Sequence, residues 1–372
     1  MNSKVAGIVI VLLAGLLAWL MLSGPQAEPT GTTASSQGPG SATGKSAAGA
    51  EARTGAASAP ASLGGSAAFK VALITPGPVT DGGWSQNAKK GLDRIKAELG
   101  AETRNAVASS GQDAYDTFRA YASEGHALVI GHASEWFDPK LLQIAERHPQ
   151  VRFLISGCEM EAAGNVAGVR FILEDACFVL GFIAGSMSTS GVLGCVGPKK
   201  IPVIESTFDA FAKGARAARS DAVVRQVWTD SWDDVAAAKE KTLALIQQEK
   251  ADFIFHNANN GGPGVFQAVH EKKAQGVLAF GSNDDQAGMA PDVVLASAVL
   301  DIPSVFLAAA REIKEQRFDG KTRFVGMPEG HVWVAFNPKL EEKMPAEVRK
   351  KAEEWIRKIK SREYKVERMI LK

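Results

Sequence analysis

From Phe69 onward, short apolar runs bounded by turn residues alternate with stretches of helical period. The runs at 69–74, 127–130, 151–155, 191–196, 223–228, 252–255 and 276–280 have the length and β-branched content of buried strands. Between them, Trp84, Ala88, Leu92, Ile95 and Leu99 fall on one helical face, as do Val348, Ala352, Trp355, Ile356 and Ile359 near the end. Strand alternating with helix predicts an α/β fold of doubly wound parallel sheets covered on both faces. About ten strands are expected, more than one ordinary doubly wound sheet needs, so the pattern predicts two lobes. The break is placed at 188–191, where a helix beginning near Glu174 ends and a second strand series starts without a linker. Closely hinged lobes follow, with a cleft between them as the favoured ligand site.

The first part of the chain does not belong to that pattern. Residues 5–22 are apolar without interruption and follow Lys4, a run long enough to cross a bilayer with its basic end inside. Segment 1–24 is therefore expected to be an N-terminal membrane anchor or signal segment, with the rest on the periplasmic face of the inner membrane. The sequence Ser23-Gly24-Pro25-Gln26-Ala27 is a poor cleavage site, which favours an anchor that stays. Residues 25–67 are Ala, Gly, Ser, Thr and Pro with almost no large apolar side chain, and read as a disordered tether. The remaining boundaries are lobe I at 68–190, lobe II at 191–300, and a return to lobe I with a C-terminal helix at 301–372.

Charge narrows the partners. The first 67 residues hold three of the 42 basic and two of the 41 acidic residues, leaving 39 of each and no net charge on the folded part. A nucleic-acid surface would need a basic excess. Cys158, Cys177 and Cys195 have no paired spacing and read as small buried residues, one disulfide remaining open.

Chemistry concentrates in loops at the carboxyl ends of strands, where α/β sheets bind ligands. The first, Thr75-Pro76-Gly77-Pro78-Val79-Thr80-Asp81-Gly82-Gly83, precedes Trp84 and combines a carboxylate, glycines and an aromatic face. Its competing reading is a tight turn with a core Trp and a helix-capping Asp. Three further loops carry Ser134 and Trp136, His256 and Asn257, and Asn283 and Asp285. Trp232 could be core, rim or ligand platform. Together these nine residues, Asp81 through Asp285, supply donors and acceptors around aromatic faces, as a small polar ligand requires. Catalytic readings do worse. The six histidines lack zinc-ligand spacing, no serine sits in a nucleophile elbow, and the phosphate-loop and dinucleotide patterns are absent. No cofactor, metal site or catalytic residue is expected.

Five segments in order resemble the basic membrane protein family. They are Gly77-Pro78-Val79-Thr80-Asp81-Gly82-Gly83-Trp84, Trp136-Phe137-Asp138-Pro139, Phe211-Ala212-Lys213-Gly214-Ala215-Arg216, Trp228-Thr229-Asp230-Ser231-Trp232-Asp233 and Gly281-Ser282-Asn283-Asp284-Asp285-Gln286. The family comprises substrate-binding proteins of ABC transporters, several of which bind purine bases or nucleosides. The resemblance implies a type I periplasmic-binding fold whose lobes are joined by hinge strands, with a monomer delivering ligand to a membrane permease. It implies that Trp84 stacks on the base and that the loop near His256 and Asn257 completes the pocket. Where the family commonly places a ligand-contacting Asp, this chain has Asn283, and it keeps Asp285. Nucleoside-binding members also carry an Asp and a Lys where Thr75 and Leu300 stand here. Those groups anchor the ribose, so the expected ligand is a free purine base or a similar planar polar molecule. The alternative is a sensor ectodomain of the same fold signalling to a membrane partner.

Overall fold

The computed structural model describes residues 68–161 and 163–369. The expected anchor and tether lie outside them. Among the described residues, no helix is long and apolar enough to cross a membrane.

Lobe one begins with strand β1 (Lys70–Thr75), helix α1 (Trp84–Leu99), β2 (Glu102–Val107), α2 (Gly111–Ser123), β3 (Leu128–Gly131), α3 (Pro139–Arg147), β4 (Arg152–Ser156) and β5 (Val166–Phe171). Helix α4 (Glu174–Met187) then leads into lobe two: β6 (Val192–Gly197), α5 (Pro202–Ala218), β7 (Val223–Trp228), α6 (Val235–Gln247), β8 (Phe253–His256), α7 (Gly262–Glu271), β9 (Leu278–Asn283) and β10 (Val294–Leu300). The chain continues through α8 (Ile302–Lys314), β11 (Arg323–Val325), β12 (Val332–Phe336) and α9 (Ala346–Lys360).

Two six-stranded sheets result, in the orders β11-β5-β4-β3-β1-β2 and β12-β10-β9-β8-β6-β7. All pairings are parallel except β10 with β12. Every residue of β3, β5, β8, β9 and β10 is buried, because helices cover both faces of the inner strands. The edge strands β2 and β7 are half exposed, and β2 is correspondingly polar.

Three passes of chain join the lobes: β5 to β6, β10 to β11, and β11 to β12. The segment after residue 300, expected to return to lobe one, serves both lobes. Strand β11 extends the first sheet, whereas β12 pairs with β10 across Ala296–Leu300 and extends the second. The apolar alternation of β12 suits an edge position beside a fully buried β10.

Helix α4 is the most enclosed helix, and it approaches α5 backbone to backbone. A Cβ on Gly181 would lie 1.9 Å from the Phe211 carbonyl, and one on Gly214 would lie 1.9 Å from that of Phe178. Only glycine permits that approach. Phe178 of α4 in turn meets Trp355 of α9 edge-on at 5.0 Å.

A polar chain runs beside this crossing. Buried Arg170, in β5, pairs with buried Glu174 at the start of α4, and its Nε lies 3.6 Å from Glu159. Glu174 also accepts from Ser206 Oγ on α5 at 2.6 Å. The segment after α9 completes the ring: Arg368 donates to Glu159 at 2.9 Å, and the Met369 backbone N–H donates to Ser206 at 3.2 Å.

Candidate functional site

A cavity of about 110 Å³ lies between the lobes, at the carboxyl ends of the strands. That is several times the room one buried water needs. Six of the nine residues singled out in the sequence line it: Asp81, Trp84, Ser134, Trp232, Asn257 and Asn283.

Trp84 opens α1 and is held by two reciprocal hydrogen bonds. Its Nε1 donates to the His132 carbonyl, and His132 Nε2 donates to the Trp84 carbonyl, each at 3.0 Å. The two rings stack with centroids 3.9 Å apart and planes 19° apart, while Phe171 meets the indole edge-on at 6.2 Å. Because a carbonyl can only accept, His132 carries its proton on Nε2. Burial pushes its pKa down to about 3, so the ring is neutral. A neutral imidazole thus backs the Trp84 ring and fixes its plane.

Asp81 lines the cavity, but its carboxylate is already engaged. It accepts from the backbone N–H groups of Gly83, Ser85 and Gln86 at 3.0, 2.8 and 2.9 Å. The Ser85 and Gln86 groups are orphan donors of the first turn of α1, so this carboxylate caps the helix while it lines the cavity.

Three expected ligand contacts lie elsewhere. Trp136 ends a short 3₁₀ turn (Ser134–Trp136) that carries it under the sheet, where it is 3% exposed and meets Phe118 edge-on at 6.0 Å. His256 is the last residue of β8 and points away from the cavity into the lobe-two core, against Phe266 at 4.8 Å. The Ala258 N–H donates to its Nδ1 at 3.3 Å, which leaves Nε2 as the donor to Gln286 Oε1 at 2.9 Å. Burial lowers its pKa to about 4. Asp285 is exposed and accepts from the Ala287 N–H at 3.0 Å.

The polar wall of the cavity comes from lobe two. Asn283 Nδ2 donates to Asn257 Oδ1 at 3.1 Å, and Asn257 Nδ2 donates to Thr207 Oγ1 at 3.5 Å. Asn283 adopts φ +67°, a left-handed conformation that Asn tolerates better than most residues. That conformation turns its carbonyl toward lobe one, where Asn87 Nδ2 donates to it at 3.0 Å. Asn87 also donates to the Leu300 carbonyl at 2.8 Å. Gln286 links the lobes as well: Nε2 donates to the Gly82 carbonyl at 3.1 Å, while Oε1 accepts from His256 and from the Ser282 N–H. An ion pair between Lys90 and Asp284 adds a surface contact.

Asn87, Thr207, Arg170, Glu174 and Gln286 went unassigned in the sequence reading. Asn87 does carry a signal, a polar residue on the buried face of α1 between Trp84 and Gly91. Arg170 carries one too, as a charge inside an otherwise apolar strand. Among the described residues, no cluster of His, Cys, Asp and Glu could hold a metal ion. Cys158, Cys177 and Cys195 are all buried and free.

Comparison with known proteins places this geometry. The family described as ABC transporter substrate-binding protein PnrA-like matches residues 68–367. A purine-binding protein of Brucella abortus is 27% identical over 309 residues, covering 81% of this chain and 85% of that protein. Basic membrane protein D of Borreliella burgdorferi is 27% identical over 282 residues, 74% of this chain and 82% of its own length. Among solved structures, a solute-binding protein of an ABC transporter system from Aeropyrum pernix superposes with a TM-score of 0.74 at 19% identity, covering 82% of this chain and 94% of that one. At that identity the likeness shows the fold: two parallel-sheet α/β lobes of the type I solute-binding class.

Proposed function

The chain belongs to the PnrA-like family of ABC transporter substrate-binding proteins, and from that premise we propose that it captures a free purine base and delivers it to a membrane permease. Proteins of this family bind solutes outside the cytoplasm rather than convert them. The observation that carries the base reading is the pairing of Trp84, a ring held rigidly by His132, with the neutral amides of Asn257 and Asn283 on the facing lobe. A planar heterocycle can stack on the first and hydrogen-bond to the second. Ligand contacts from both lobes favour the closed arrangement, so binding shifts the population toward closure.

Two features favour a base over a nucleoside. Leu300 lines the cavity and brings no charged group to it. Thr75 is fully buried, with its hydroxyl 3.4 Å from the Ala106 carbonyl, so it does not face a sugar. The purine-binding name of the Brucella relative points the same way. We further place the protein on the membrane through segment 1–24, with 25–67 as the tether, and read it as a monomer.

The test is a thermal-shift screen with purine bases, nucleosides, sugars and amino acids, followed by calorimetry. A ligand that binds only the native state raises the midpoint. Adenine, guanine or hypoxanthine should do so, and Trp84→Ala should weaken binding by about 1–3 kcal/mol through the lost stack. Midpoint shifts with sugars or amino acids alone would discard the base reading, and unchanged affinity in Trp84→Ala would remove Trp84 from the site.

A further inference from the structure

Thr207, in the second turn of α5, lines the cavity yet offers it no donor. Its hydroxyl donates to the Ile204 carbonyl at 2.7 Å, and a hydroxyl has one proton to give. Toward Asn257, 3.5 Å away, it can therefore only accept. That requirement places the N–H side of the Asn257 amide on Thr207 and its carbonyl side on Asn283. Asn283 must then present its own N–H side to Asn257, as it does at 3.1 Å. The Asn283 side-chain oxygen faces away from this relay, and no described protein group donates to it. Asn257 and Asn283 are 4% and 5% exposed, and both line the cavity.

An amide at such a position can rotate to exchange its oxygen and nitrogen with little change in shape, so only its neighbours decide which group the ligand meets. We infer that Thr207 is a positioning residue for ligand specificity: acting through Asn257, it fixes Asn283 as a neutral hydrogen-bond acceptor in the cavity. The ligand must then present an N–H donor to Asn283. A heterocycle with an exocyclic amine satisfies the oxygen, whereas one with a carbonyl at the same place sets acceptor against acceptor. Asn reads adenine's amine with this oxygen elsewhere in recognition chemistry. A carboxylate at position 283 would accept through either oxygen and would not need Thr207. This inference rests on the base-site reading above.

The experiment compares adenine with hypoxanthine by calorimetry on the purified full chain. The wild type and Thr207→Ser, which keeps the hydroxyl, should prefer adenine by about tenfold or more, the worth of one neutral hydrogen bond made or mismatched. Thr207→Val, which keeps the shape, should shrink that ratio to within about threefold without moving the ligand-free melting point; Thr207→Ala removes the same hydroxyl if the Val variant does not fold. In an Asn283→Asp background the Thr207→Val change should leave the ratio unaltered. An unchanged adenine-to-hypoxanthine ratio in Thr207→Val overturns the positioning role while leaving the base site standing. If neither base binds the wild type, the base-site reading fails. The relay is then judged on ligand-free protein by NMR. The Asn257 side-chain amide signals should move in Thr207→Val and hold in Thr207→Ser, and identical spectra for all three proteins would overturn the relay.

Discussion

Two imidazoles enclosed near the ligand site make the folded protein sensitive to mild acid. His132 and His256 are fully buried, and burial lowers their pKa values from 6.5 to about 3 and about 4. In the unfolded chain each takes a proton near pH 6.5, so acidification below that value favours unfolding until the folded pKa is reached. Asp175 works in the opposite direction. Burial raises its carboxyl from 3.8 to about 6, so between those values the folded form holds the extra proton and acid favours folding. Between pH 7 and pH 5, linkage gives a loss of about 2 kcal/mol for each imidazole and a return of about 1 kcal/mol from Asp175. The net loss from these three groups is about 2–3 kcal/mol, a substantial part of the roughly 5–15 kcal/mol that holds a typical protein folded. Urea midpoints at pH 7 and pH 5, at fixed ionic strength and without ligand, read it directly. Asp175→Asn removes the compensating carboxyl, and its own loss over the same interval should grow to about 4 kcal/mol. Equal stability at the two pH values would refute the reasoning, as would an Asp175→Asn protein no more acid-sensitive than the wild type.

Gly181→Ala places a methyl group 1.9 Å from the Phe211 carbonyl, and the α4–α5 pair must separate to admit it. A cost of about 3 kcal/mol or more is expected from overpacking, seen as a lowered denaturant midpoint, and a near-neutral effect would show that the helices are free to part. Gln286→Leu removes the donor to Gly82 and leaves His256 Nε2 without its acceptor. The variant should open the lobes, raising the radius of gyration in solution scattering and weakening ligand binding by about tenfold; unchanged scattering would confine Gln286 to a local role.

The inner strands β1, β3, β4, β6, β8 and β9 were legible because helices on both faces demand continuous apolar runs, whereas β5 and β10 were not among the expected runs. Two edge strands were not legible either: β2, Glu-Thr-Arg-Asn-Ala-Val, is half solvated and carries no such run, and β11 has three residues, whereas the edge strand β7 was, because Val-Val-Arg-Gln-Val-Trp is largely apolar. The site was legible in its loops but not in its side-chain directions. His256 sits on a polar loop by sequence, yet as the last residue of β8 it points into the core. Trp136 and Ser134 are two residues apart in one 3₁₀ turn, yet Ser134 lines the cavity and Trp136 is buried against Phe118. Asn283 and Asp285 differ similarly: Asn283 is buried against Asn257, whereas Asp285, two residues on, is exposed. Asp81 had two readings on sequence grounds, and its backbone partners establish the cap while the residue also lines the cavity.

The three passes between the lobes have a mechanical consequence. A single linker would act as a ball joint, allowing the lobes to meet in many orientations and leaving the ligand to select among them. Three passes, with α4 locked against α5 at their shared glycines, restrict the orientations the lobes can take. Asn283 and Gln286 of one lobe are thereby held against Asn87 and Gly82 of the other. On the solute-binding reading proposed above, the ligand then has few lobe orientations to choose among, and its selection is exerted along a restricted path of closure.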